Sequence, residues 1–310
     1  EIRLSLVGSE MCIRDRNIPM SILSNLITGL SLGSIYALIA LGYTMVYGIA
    51  KMLNFAHGDV IMVGAFTIIV ATNMSMPPVI AVLLAIVVCT VLGVTIEKIA
   101  YKPLRKESPL TVLITAIGVS YFLQSLALLI FGTDKKPFPN ILGLTPITIT
   151  DGLVIQGSSI VTLLVTVVIM VCLTLFINKT RTGRAMLAVS EDKGAAQLMG
   201  VNVNKTITIT FAIGSALAAV AGLFYGLSYD YIGPYTGAMP GIKAFVAAVF
   251  GGIGSIPGAM VGGLLLGIIE SLAKAFNLGE LADAIVFGVL IVVLVIKPTG
   301  LFGKKIDEKV

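Results

Sequence analysis

Residues 244–267 read AFVAAVFGGIGSIPGAMVGGLLLG, two apolar blocks joined through Gly251-Gly252-Ile253-Gly254-Ser255-Ile256-Pro257-Gly258. The block before the join, 241–253, holds only thirteen residues. At about 1.5 Å of rise per residue, that falls short of a bilayer core roughly 30 Å thick. A broken or re-entrant helix is the natural solution. Irregular backbone at membrane depth survives only where protein or a water-filled cavity surrounds it, so the join is expected to line the interior rather than face lipid. Gly254, Gly258 and Gly262 are spaced by four, as are Gly263 and Gly267, Gly222 and Gly226, and Gly29 and Gly33. Such faces let helix backbones approach closely in lipid. Any one pair is ordinary membrane packing, but the run from Gly251 to Gly267 is denser than packing usually demands.

The rest of the chain has the same character. It is 57% hydrophobic and 12% charged, with a mean hydropathy of +1.02, far outside the range of a soluble domain. Apolar blocks run over 21–50, 58–73, 79–97, 110–131, 159–177, 206–229, 241–253, 257–276 and 282–296. The fold class expected is an all-α polytopic membrane protein of eight or nine apolar segments, some of them broken or re-entrant. Of the 18 basic residues after residue 16, 14 fall in four zones: Lys51, Lys98–Lys106, Lys179–Lys205 and the tail from Lys297. Basic residues are retained in cytoplasmic loops. Placing all four zones inside puts 132–158, with Lys135 and Lys136, outside, and the N-terminus outside as well. The tail is then cytoplasmic only if 241–253 and 257–276 count as separate segments.

The first sixteen residues, EIRLSLVGSEMCIRDR, break this pattern. LVGSEMCIRDR resembles a translated sequencing-library adapter, and Met20 looks like a natural start. Glu1, Glu10 and Asp15 interrupt the apolar core a signal peptide would need. We therefore expect a leader over 1–19 and one transmembrane domain over 20–310. Cys89 and Cys172 lie inside apolar blocks and read as small core residues, with neither metal spacing nor a disulfide framework.

Between two long apolar blocks lies RTGRAMLAVSEDKGAAQLMGV, residues 181–201. Ala195 to Gly200 has the spacing of a short helix ended by a glycine, since alanine favours helix and glycine tolerates the left-handed turn that stops one. The 178–205 loop is the largest polar surface in the chain and serves either as a linker or as a contact for something outside the bilayer. No G-x-x-x-x-G-K-[ST] loop occurs, so the chain supplies no ATP site of its own. A second polar interruption, Leu53-Asn54-Phe55-Ala56-His57-Gly58-Asp59, carries groups that are costly at membrane depth unless they meet partners or water. A cytoplasmic turn is the alternative. Two other functions have sequence support. Gly29-Leu30-Ser31-Leu32-Gly33 matches the G-x-S-x-G pattern, and with His57 would make an intramembrane serine hydrolase. Asp59, Glu97 or Glu270 would serve an ion-coupled carrier, although Glu97 sits at a helix end and Glu270 has Lys274 as a helix-surface partner at i+4.

LNFAHGDVIMVGAF (53–66), the 181–201 segment and the 244–267 segment are together similar to the LivH-type permease subunits of high-affinity branched-chain amino-acid ABC importers. The resemblance runs from Met20 to Val310, with the motifs in family order, and includes KPTGLFG at 297–303. It departs from the usual motif at Gly194, where a glutamate normally begins the docking segment. It implies a bacterial cytoplasmic-membrane machine with a homologous second permease, two cytoplasmic ATPases that hold ATP and magnesium, and a periplasmic or lipid-anchored substrate-binding protein. It implies no cofactor bound by this chain, no metal site and no nucleic acid. ATPase coupling is then expected of Arg181, Arg184, Glu191, Asp192, Ala195, Ala196 and Gly200. The translocation path, assigned from motif position, takes Asn54, His57, Asp59, Gly251, Gly252, Gly254, Pro257 and Gly258. A zwitterionic substrate needs polar contacts, while an aliphatic side chain suits an apolar, glycine-lined path. Related substrates such as other amino acids, short amides or urea stay open.

Overall fold

In the computed structural model, residues 24–105, 107–143, 145, 156–276 and 278–303 are described in full, and 2–23, 147–150 and 153–155 as backbone. The chain is a helical bundle. Its helices are α1 (Ile2–Ala50), α2 (His57–Asn73), α3 (Pro78–Ile96), α4 (Pro109–Phe131), α5 (Gly157–Lys179), α6 (Arg181–Glu191), α7 (Lys193–Leu198), α8 (Val203–Tyr229), α9 (Ala238–Gly251), α10 (Ile256–Ala275) and α11 (Ala282–Ile296). The expected leader is followed only as backbone continuous with α1. Its side chains lie outside the described residues, as do Lys304, Lys305 and Lys309 of the tail.

All nine apolar blocks are helices. Seven spans are long and apolar enough to cross a membrane, while α2 and α9 are shorter apolar helices. Proline fits the first turn of α3 and α4, where its missing N–H would have had no partner. The Ser108 hydroxyl caps α4 by accepting from the Thr111 amide at 3.3 Å. Short strands add little: β1 (Lys136–Pro137) pairs with β4 (Tyr231–Ile232), and β2 (Ile147–Thr150) with β3 (Leu153–Ile155), both antiparallel.

The bundle is organised around an antiparallel seam between α1 and α10. A Cβ on Gly33 would meet Leu264 Cα at 2.7 Å, and one on Gly29 would meet Ile268 Cα at 2.9 Å. Glycine is needed here because backbone lies against backbone. The same small-residue logic joins α2 to α8, where a Cβ on Gly222 would meet the Ile61 carbonyl at 2.6 Å. Large apolar side chains such as Leu83, Val87, Ile114 and Phe122 point outward from α3 and α4. In water they would be a defect; on a membrane protein they are its lipid-facing surface.

The join between α9 and α10 is a true break. Gly252 and Gly254 take φ of 103° and 92°, which side-chain-bearing residues rarely adopt. Gly251, Gly252 and Gly258 are buried, but Gly254 and Pro257 are exposed, so the interior lining expected for the whole join holds for part of it. It sits at the same end of the bundle as the end of α1, with Gly48 facing Gly254 at 3.1 Å from an added Cβ. The KPTGLFG segment completes it: the Leu301 and Phe302 amides donate to the Phe250 and Gly251 carbonyls, each at 2.9 Å. The last carbonyls of α9, without intrahelical partners, are thereby satisfied.

The described parts of the four basic zones meet at this one end. Lys193 reaches Ala50, and Arg105 reaches Asn204. Lys136 lies at the other end, paired with Ile232.

Candidate functional site

The arm between α5 and α8 is assembled by helix caps. Thr180 accepts from the Gly183 amide at 2.9 Å, Asp192 from the Gly194 and Ala195 amides at 2.7 and 2.9 Å, and Asn202 from the Lys205 amide at 3.0 Å. Each satisfies donors that a helix start leaves open. Gly183, Met186 and Val189 recur at intervals of three and are buried, which lays α6 along the bundle. Helix α7 ends as its sequence predicts. Gly200 takes φ of 83°, and the Gly200 and Val201 amides donate to the Gln197 and Ala196 carbonyls, both at 3.0 Å.

What this arm presents outward differs from the sequence expectation. Arg181, Arg184, Glu191, Asp192, Ala195 and Gly200 are exposed, with the Asp192 carboxylate turned to capping. Ala196 is only 4% exposed and packs beneath α7. Its outer neighbours are Leu198 and Met199, 90% and 85% exposed. Sequence reasoning passed over this pair, although the signal was present: two large apolar residues directly after the polar and small-residue run 190–197. Beside them, Lys193 Nζ donates to the Ala50 carbonyl at 3.0 Å. Burial, together with the positive charges of Arg105 and Lys51, holds its amine below the usual lysine range.

The polar interruption at 53–59 folds into the bundle, which resolves the choice between partnered burial and a turn in favour of burial. Asn54, His57 and Asp59 are 4%, 1% and 1% exposed. The Tyr101 hydroxyl donates to Asn54 Oδ1 at 2.9 Å. Asp59 accepts from Ser120 and, at 3.0 Å, from Gln124 Nε2. Ser120 lies halfway along α4, so α2 starts near mid-bundle. Helix α9 starts there too: a Cβ on Gly241 would meet Gly58 Cα at 2.9 Å. Two helix N-termini, each carrying partial positive charge, thus converge beside one carboxylate. Tyr43 closes the junction, with its ring 4.8 Å from that of His57 and its hydroxyl 3.5 Å from an added Gly241 Cβ. Tyr43 Oη and His57 Nε2 are buried and have no hydrogen-bond partner among the described residues. The expected path residues therefore fall into two groups: Asn54, His57 and Asp59 at the junction, and Gly251 to Gly258 at the basic end.

A third polar cluster joins four helices. Lys243 of α9 pairs with Glu270 of α10 at 3.0 Å and with Asp283 of α11 at 2.6 Å. Lys274 adds 2.7 Å to Glu270, and the Tyr36 hydroxyl of α1 donates to the same carboxylate at 2.8 Å. The i+4 pairing with Lys274 is present, but Glu270 is 2% exposed and so is no helix-surface residue. Glu97 is likewise committed, to Arg105 and to the Thr208 hydroxyl at 2.8 Å. All three carboxylates considered for an ion-coupled carrier are thus bound by protein donors. The hydrolase pairing fails on distance. His57 packs on Gly42, about eleven residues and roughly 16 Å along α1 from Ser31.

Comparison with known proteins gives this architecture a context. Residues 25–294 match the family model described as branched-chain amino acid transport system / permease component. The chain is 45% identical over 300 residues to the high-affinity branched-chain amino acid transport system permease protein BraD of Pseudomonas aeruginosa, covering 93% of this chain and 98% of that protein. It is 45% identical over 308 residues to the LivH permease protein of Escherichia coli K12, covering 93% and 97%. A probable LivH permease of Methanocaldococcus jannaschii is 29% identical over 286 residues, covering 87% and 89%.

Proposed function

The chain belongs to the permease components of branched-chain amino acid transport systems, and from that premise we propose that it is a membrane-spanning subunit of an ATP-driven importer for leucine, isoleucine and valine. Its partners are a homologous second permease, two cytoplasmic ATPases that bind ATP and magnesium, and a substrate-binding protein on the outer face. The basic end of the bundle is cytoplasmic, so the N-terminus lies outside and the tail inside. The observation that carries the coupling role is the exposed Leu198–Met199 pair on a capped helix at that end. Apolar anchors set in a polar surround are what a protein groove takes up. The exposed charged residues Arg181, Arg184 and Glu191 lie on α6 of the same arm.

The α2–α9 junction is the constriction on the substrate path. Uncommitted polar groups on Tyr43 and His57 beside Asp59 offer hydrogen bonds to the ends of an amino acid, and buried polar atoms without partners call for such a role. Broken helices meeting at mid-membrane are the arrangement in which irregular backbone lines a path. Rocking of the bundle, driven by closure of the ATPases, would open the junction alternately to each side.

The test is the double variant Leu198→Asp/Met199→Asp in the full complex. It should reach the membrane normally, lose ATPase co-purification, and lose at least tenfold in leucine uptake by membrane vesicles. A cysteine at position 198 should react with a membrane-impermeant reagent from the cytoplasmic side only. Retained co-purification and uptake in the double variant would remove the arm from the docking role.

A further inference from the structure

We propose that Lys193 is a positioning residue that ties the docked arm to α1, so that movement of α7 reaches the α2–α9 junction through the end of α1. The inference rests on the reading of 181–201 as the docking arm and adds the route by which docking is felt inside the membrane.

Lys193 is the first residue of α7 and follows the capping Asp192 directly. Its ammonium donates to the carbonyl of Ala50, the last residue of α1, at 3.0 Å. The final carbonyls of a helix have no intrahelical partner, and a cation beside them is favoured by the helix dipole. No carboxylate pairs with Lys193 among the described residues; the charges that face it are those of Arg105 and Lys51. Attraction to an acid therefore does not explain where the side chain sits. The α1 carbonyl does.

Beyond Ala50 the chain is built to carry a displacement inward. Lys51 has φ of 58°, which ends α1 abruptly and turns the chain back into the bundle. Residues 51–56 are the non-helical piece between α1 and α2. Tyr101, in the π-helical turn Glu97–Tyr101, holds this piece through Asn54. It leads into the first turn of α2, where Gly58 touches Gly237 and Gly241 at the start of α9. A connected route thus runs from α7 through the Lys193–Ala50 hydrogen bond, then along the chain through Asn54 to Gly58 at the junction. Coupling between distant sites needs a connected route of this kind, with packed elements that shift as units.

The experiment uses the complete importer in proteoliposomes with its binding protein and radiolabelled leucine, comparing Lys193→Met and Lys193→Arg with the unaltered chain. Methionine keeps an unbranched side chain, one atom shorter than lysine, and cannot donate; arginine can. Lys193→Met should keep ATPase co-purification yet lose at least tenfold in leucine carried per ATP hydrolysed, with hydrolysis no longer stimulated by the loaded binding protein. Lys193→Arg should restore at least half of the ratio. An unchanged ratio in Lys193→Met overturns the inference. So does loss of co-purification, which would make Lys193 part of the docking contact, and so does failure to accumulate in the membrane, which would make it a folding residue. Failure of the docking reading is seen separately, as ATPase retention by the Leu198→Asp/Met199→Asp variant.

Discussion

Along the α1–α10 seam, a Cβ on Gly33 or Gly29 would meet a backbone carbon at 2.7 or 2.9 Å, whereas one on Gly200 in the arm would meet nothing within 4 Å. The residue type is the same and its duty is different. In the seam glycine is an absent side chain, and the fold depends on the space it leaves. In the arm glycine is a conformation, φ of 83°, and the space around it is free. The apolar residues divide in the same way. Ala37 and Leu266 vanish into the seam, while Leu198 and Met199 stand out from the arm. A seam binds the protein to itself; the arm leaves its apolar atoms uncovered, as the proposed docking contact requires.

This contrast can be broken most forcefully at Gly267. Its Cβ would run into the backbone of Gly33 on α1, and neither helix can yield as a flexible side chain would. Gly267→Val should cost more than the roughly 1–3 kcal/mol of ordinary overpacking. The expected outcome is loss of folded protein, read as membrane level and as a monodisperse peak in mild detergent. A normal yield would show that the seam can slide apart.

The ion cluster sharpens the comparison within the membrane domain itself. Glu270→Leu leaves Lys243 buried with a weakened set of partners, and breaking a buried pair costs about 3–5 kcal/mol. Asp283, 45% exposed at its side chain, is better screened by its surroundings. Asp283→Leu should therefore lower the thermal midpoint in detergent by clearly less than Glu270→Leu. Equal shifts would mean that the cluster acts through Asp283 instead.

The smallest effect belongs to the arm. Gly200→Ala demands a left-handed alanine and should cost about 1–2 kcal/mol locally. Insertion should be normal and leucine uptake reduced several-fold. Gly118→Ala, in α4, also meets nothing within 4 Å and has no special φ, so it serves as the control with unchanged uptake. If the two behaved alike, the conformation of Gly200 would be irrelevant to docking.

Much of this was legible beforehand. All nine apolar blocks became helices because a bilayer leaves helix as the only way for a single segment to pair its own backbone. The break after Gly251 followed from a block too short to span, and the end of α7 at Gly200 from glycine's freedom of φ. Ala196 was misleading: its size and spacing suited a docking face, but six residues of helix turn it toward the bundle. The Leu198–Met199 pair, the junction and the Lys243–Glu270–Asp283 cluster were less visible, since each depends on which way a side chain points or on partners far away in the chain.

Periodicity, composition and chain reversal are local properties, and by themselves they determined the membrane class, the apolar blocks, the basic zones and the break after Gly251. Only the tertiary structure decided that Asp59 meets Ser120 and Gln124, that α2 and α9 start against each other, and that Lys193 closes on Ala50. These contacts join residues from 61 to 183 positions apart. Their existence depends on how closely the backbones of α1, α10, α2 and α8 can approach, and that closeness is set by many glycines acting together in the packed bundle.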